Sequence, residues 1–153
     1  MRRREVIGKF LLAGIAAIGV VRAQTADSFS ARLDWVPISG SERNDVSGTG
    51  AATATLSRLE LSVEGTFEGM VAPATRASLH YGADTGVRGP QIAELEITKG
   101  RSGSFAGEVT LTREQREALF AGRVYLRLDG ERGVPPENAV LWGWFFADTL
   151  AAD

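Results

Sequence analysis

His80 is the single histidine of this 153-residue chain, and the residue types able to do chemistry gather around a few positions near it in character if not in sequence. In an extended strand His80 shares a face with Ser78 and leaves Ala77, Leu79 and Tyr81 on the other. A serine beside a histidine meets only part of the need for nucleophilic catalysis. The serine must also stand on a strained, exposed turn, and no Gly-x-Ser-x-Gly elbow is present. A metal site would have to complete the lone imidazole with carboxylates, a donor set that suits calcium better than zinc or copper. The simplest role for His80 is a cross-strand hydrogen bond, with Asp129 as candidate partner, that orders the glycine-rich stretch after it.

Asp84, Asp129, Glu131 and Glu137 are the carboxylates to weigh for acid–base work, which requires a pair at set separation with one pKa raised by burial. All four fall in polar stretches that read as solvated turns. Residues 84–90 (DTGVRGP) resemble a phosphate-cradling loop only superficially, because no helix follows whose N-terminus could hold an anion. Trp142, Trp144 and Phe146 share one face of a last strand, with Leu141 and Phe145 on the other. An element apolar on both faces is either covered or exposes an aromatic stripe to a partner; the expectation here is burial, under a helix or in the core.

The elements that position these residues are strands. Leu59, Leu61, Val63 and Phe67 alternate with Arg58, Glu60, Ser62 and Glu64; Ala93, Leu95 and Ile97 alternate with Glu94 and Glu96. Phe105, Val109 and Leu111 form a third such face, and Val124, Leu126 and Leu128 a fourth, opposite Arg127 and Asp129. Residues 29–35 and 51–56 read as weaker strands, and glycine clusters at 48–50, 82–89, 100–103 and 130–133 read as turns. One helix is expected after Thr112, with Gln115 closing a capping box and Gly122 at its end. The fold class that follows is all-β, a single antiparallel β-sandwich or barrel with one short helix near 112–121.

Composition narrows the function. Residues 1–23 have the form of a cleaved export signal: Arg2 to Arg4, an apolar run over 10–21, and Ala23 at the cleavage edge. Arg3-Arg4 gives it a twin-arginine character. The apolar run is too short for a stable membrane anchor. Five of the 17 basic residues and one of the 19 acidic ones lie in this leader, so residues 24–153 carry 12 basic against 18 acidic, a net charge of −6. That balance argues against nucleic acid. The chain has no cysteine, hence no disulfide framework and no thiolate metal site. A periplasmic or secreted location is expected.

Three stretches together resemble the CHRD family, the domain named for chordin and common in exported bacterial proteins. They are Phe29 to Leu33 with Val36-Pro37; Ala77 to Gly82 with Gly86 to Pro90; and Leu119 to Tyr125 leading to Val140 to Gly143. Where the family carries His-x-His, this chain has Ser78 and His80; Asp129 and Trp142 replace a further histidine and an arginine. The resemblance implies an immunoglobulin-like or barrel-like β module over residues 24–153, with no agreed enzymatic activity. The expected function is an exported, non-catalytic module that binds a protein partner or small ligand, or serves as accessory subunit of a periplasmic complex. Its candidate binding residues are His80, Tyr125, Arg127, Asp129, Trp142 and Trp144, with no catalytic set and no cofactor assigned. The competing expectations are a small cyclase or isomerase with a barrel pocket around His80, Tyr125 and Asp129, and a metal-binding protein using His80.

Overall fold

The structure is a computed structural model that describes residues 26–148; the export signal expected at 1–23 lies outside the described residues. Strand-forming alternation sets the element order: β1 (Asp27–Trp35), β2 (Thr49–Ser57), β3 (Glu60–Glu68), β4 (Ala74–Tyr81), β5 (Gln91–Ile97), β6 (Gly103–Thr110), α1 (Arg113–Phe120), β7 (Val124–Val134), β8 (Ala139–Trp144) and β9 (Phe146–Ala147). The strands pair antiparallel in the order β2-β3-β6-β5-β4-β7-β8-β1, and β1 pairs again with β2. The sheet therefore closes into an eight-stranded barrel, with β9 prolonging β8 along β1.

Two strands turn the corners. β1 pairs with β2 over Asp27 to Leu33 and meets β8 at Asp34 and Trp35. β5 pairs with β4 over Gln91 to Leu95, then with β6 only at Glu96 and Ile97. Closure at two corners flattens the barrel toward a sandwich.

The period-two reading holds in the core. β2 buries Ala52, Ala54 and Leu56; β3 buries Leu61, Val63 and Phe67. Phe29, Leu33, Phe105, Leu126, Leu128, Leu141 and Phe145 join them in one apolar cluster. Each such large side chain withdrawn from water contributes about 1.5–3 kcal/mol. This cluster fills the barrel interior, as side chains do in small barrels.

The helix forms where its caps place it. Thr112 Oγ1 accepts from the Gln115 amide at 3.0 Å, and Gln115 Oε1 accepts from the Thr112 amide at 2.9 Å. Ala118 and Leu119 bury its inner face, while Gly122 takes the positive φ of 76° that ends it. Phe120 stays 43% exposed, edge-on to Phe29 at 5.2 Å between centroids. One expected turn is not a turn: Gly130 and Gly133 lie within β7, which runs on to Val134 before reversing over residues 135–138.

Candidate functional site

Three neighbouring strands align the chemistry-bearing side chains in rows on the outer face of the barrel. Ser78 on β4 opposes Arg127 on β7, which opposes Trp142 on β8. His80 opposes Tyr125, which opposes Trp144, and Arg76 opposes Asp129. Residues directly opposite in an antiparallel pair point to the same face. The register thus brings all six candidate residues onto one surface.

Most of that surface is nevertheless buried. Ser78, His80, Tyr125, Arg127 and Asp129 are each 6% exposed or less. The β4–β5 loop, residues 82–90, folds back over the His80–Tyr125 row. Gly89 accepts from His80 Nδ1 at 3.2 Å and donates its amide to the Tyr125 hydroxyl at 3.0 Å. Arg88 places its guanidinium over Trp142, 5.7 Å from the ring centroid, and Thr85 donates to the Gly122 carbonyl at 2.6 Å. Glycine is required at position 89, because a Cβ there would collide with the Tyr81 carbonyl.

The contacts of His80 fix its tautomer. A carbonyl only accepts, so Nδ1 carries the proton to Gly89, and Nε2 accepts from the Ser78 hydroxyl at 2.9 Å. Burial lowers the imidazole pKa from 6.5 to about 4, against the opposing pull of the Gly89 carbonyl, and Arg127 and Arg76 lower it further. The ring is neutral at neutral pH. Ser78, His80 and the Gly89 carbonyl have the connectivity of a proton relay, but Ser78 is 0% exposed in mid-strand and no substrate reaches it.

Asp129 is not the partner of His80, nor is it in a solvated turn. It sits within β7 and takes a two-pronged contact from Arg127 on the same face, Nε to Oδ1 at 2.8 Å and Nη2 to Oδ2 at 3.1 Å. Burial raises the Asp129 pKa, opposed by hydrogen bonds and charge from Arg127. Arg76 bridges Asp129 and Glu94, its Nε 3.4 and 3.3 Å from their carboxylates. Asp84, Glu131 and Glu137 are exposed, and the charge of Glu137 adds to the rise in the Asp129 pKa. Among the described residues no group of three or more histidines and carboxylates has the arrangement of a metal site.

The tryptophans depart from expectation in the other direction. Trp142 and Trp144 belong neither to the core nor to the helix contact; they are half-buried on the outer face. Trp144 stacks on Tyr125 (4.7 Å, 29°), Tyr125 on His80 (5.0 Å, 14°), and Trp142 meets Trp144 edge-on at 4.6 Å. The Trp144 indole Nε1 is shielded from solvent and has no hydrogen-bond partner.

Beside these rings lies a groove of about 660 Å3, within the size range of about 300–1,000 Å3 usual for ligand sites. It follows the seam where β1 leaves β8. The register is held at Asp34–Trp142 and again at Ser30–Phe146, but pairing lapses between them, across Arg32. Gly143 stands in that gap, where a Cβ would run into the Arg32 carbonyl oxygen. Trp142, Trp144 and the 54% exposed Phe146 form one wall; Ser30, Arg32 and Asp34 form the facing side, and Ala51 and Thr53 extend it onto β2. Arg32 and Asp34 are exposed residues that sequence reasoning did not single out, and Phe146, expected to be buried with the tryptophans, is exposed as well. The signal for Arg32 and Asp34 was the alternation Ser30, Arg32, Asp34 on a strand that pairs with the aromatic one.

Comparison with known proteins agrees with the architecture. The family model described as CHRD domain matches residues 29–135, and the chain belongs to that family. CHRD domains are typically extracellular, and the family points to a small extracellular module of binding type. No helix among the described residues is long and apolar enough to cross a membrane. No curated protein and no solved structure matches the chain. The family match stops before β8, so the strand that carries Trp142 and Trp144 lies beyond it.

Proposed function

We propose that this chain is an exported binding module that holds its ligand in the seam groove between β1 and β8–β9. The observation that carries the reading is the aromatic wall of half-buried Trp142 and Trp144 and exposed Phe146, facing Arg32 and Asp34 across an open groove. Apolar surface lined by a few convergent polar groups is the usual composition of a ligand site. His80, Tyr125, Arg127 and Asp129 support that wall from beneath rather than touching the ligand. Tyr125 carries Trp144 on one side, and its hydroxyl ties down the covering loop. An enzyme with a pocket around His80, Tyr125 and Asp129 is disfavoured, because that space is filled by the loop and the barrel interior by apolar side chains. Export places the module in the periplasm or outside the cell, where an accessory role in a larger assembly is compatible with an external groove.

The test is a set of surface variants. Phe146→Ala and Asp34→Ala should keep the stability of the parent protein and weaken ligand binding at least tenfold. Equal weakening by His80→Gln, with the groove variants unaffected, would move the site to the buried face and end this reading.

A further inference from the structure

We propose that the ligand is a neutral linear polysaccharide, lying across the strands from the aromatic wall toward Glu96; the proposal deepens the groove reading and rests on it. The groove does not end at β2. A depression of about 390 Å3 shares Ala51, Ala52 and Thr53 with it, and a third of about 270 Å3 shares Ser104, Phe105 and Ala106 with the second. Strand register explains the continuity. Phe146 opposes Ser30, Ser30 opposes Thr53, Thr53 opposes Glu64, Glu64 opposes Ala106, and Ala106 opposes Glu96. All six are exposed on the outer face. Five inter-strand steps of about 4.8 Å make a path of about 24 Å, several sugar units long.

The side chains along this path fit sugar better than other extended ligands. A pyranose has a C–H-rich face for an aromatic ring and a rim of hydroxyls that both donate and accept. Here aromatic rings line one end, Arg32 only donates, Asp34, Glu64 and Glu96 only accept, Thr53 does both, and Ser30, whose hydroxyl donates to Asp148 at 2.7 Å, accepts. Ala51 and Ala106 leave room for the rings. A proline-rich segment, which also favours aromatic grooves, presents carbonyl acceptors without donors and would leave three carboxylates unanswered. Those carboxylates, with the net charge of −6 on residues 24–153, select against acidic polymers.

Affinity gel electrophoresis of the purified chain, in gels containing a soluble β-glucan, a xylan or the polyanion alginate, tests this. A titration with a proline-rich peptide and pull-downs on cellulose and chitin complete the set. We expect retardation or capture by at least one neutral glycan and none by alginate. Phe146→Ala and Asp34→Ala should weaken that binding at least tenfold, with circular dichroism unchanged. Ala106→Arg should weaken a hexasaccharide of the bound glycan severalfold and leave its disaccharide unaffected. Failure to bind any neutral glycan overturns the proposal, as does equal retardation by alginate. Binding of the peptide alone, lost in Phe146→Ala, overturns the polysaccharide while the groove stands. Glycan binding indifferent to every groove variant overturns both.

Discussion

Tyr125 and Trp144, register partners on β7 and β8, stack with centroids 4.7 Å apart, so the wall of the groove rests directly on the buried polar face. The same tyrosine hydroxyl receives the Gly89 amide. Loop closure, aromatic stacking and groove shape are therefore coupled through one side chain.

That coupling is measurable. A double-mutant cycle on Tyr125→Leu and Trp144→Leu, read by equilibrium denaturation, should return about 1 kcal/mol of interaction, the scale of an aromatic pair beyond its buried area. Tyr125→Phe, which keeps the stack and strips the hydroxyl from the Gly89 amide, should cost about 1 kcal/mol on its own.

His80 gives a pH signature with a definite sign. Its folded pKa of about 4 lies below its ordinary 6.5, so between these values the unfolded chain binds a proton that the folded chain refuses. The stability it supports is complete above about pH 6.5 and falls as pH drops toward 4, by about 3 kcal/mol in all. Asp129, whose pKa burial raises, acts with the opposite sign. Denaturation midpoints measured from pH 7 to 4.5 should decline in the parent and flatten in His80→Gln. As the only histidine, His80 can also be read directly by nitrogen NMR, which should show a neutral ring protonated at Nδ1 at pH 6.

The Arg127–Asp129 pair is both buried and two-pronged. Asp129→Ala strands a guanidinium without its partner and should cost about 3–5 kcal/mol, whereas Arg127→Met with Asp129→Leu should recover most of that loss. Urea unfolding of the single and double variants separates the two.

Gly143→Ala tests the seam. The new methyl meets the Arg32 carbonyl, so β1 and β8 must move apart, and overpacking of this kind costs about 1–3 kcal/mol. Thermal unfolding should show a lowered midpoint, and proton exchange should quicken at Arg32 and Leu33.

Local rules reached much of this fold from sequence. Alternation along residues 60–68 and 103–110 named the inward faces, and the Thr112–Gln115 pair named the start of the helix, because both signals are complete within a few residues. The candidate site was legible only in part. Ser78 and His80 share a face as expected, but the partners of His80 are Ser78 and Gly89, and the Gly89 bond depends on the 82–90 loop folding back across strands. Gly130 and Gly133 read as a turn because glycine punctuates strands on average; β7 carries both within its ladder. Asp129 read as a solvated turn residue because of the glycines that follow it, and Arg127 only as an outward-facing strand residue. Their spacing of two in mid-strand was the overlooked clue that they could meet. The groove needed the long-range register of β1 against β8–β9, which no local pattern encodes.

The most direct test of the account is a nitrogen–proton correlation spectrum followed while a library of small sugars, prolyl peptides and aromatic amides is titrated into the protein. The chain has three tryptophans, each with its own indole signal. Trp35, which donates to the Gly48 carbonyl at 3.1 Å, is not among the groove residues and serves as internal reference. The account predicts that binding compounds shift the indole signals of Trp142 and Trp144 and the amide of Arg32, leaving Trp35 and the His80 ring unmoved. Shifts centred on His80, Arg127 and Asp129, with the two indoles still, would contradict it.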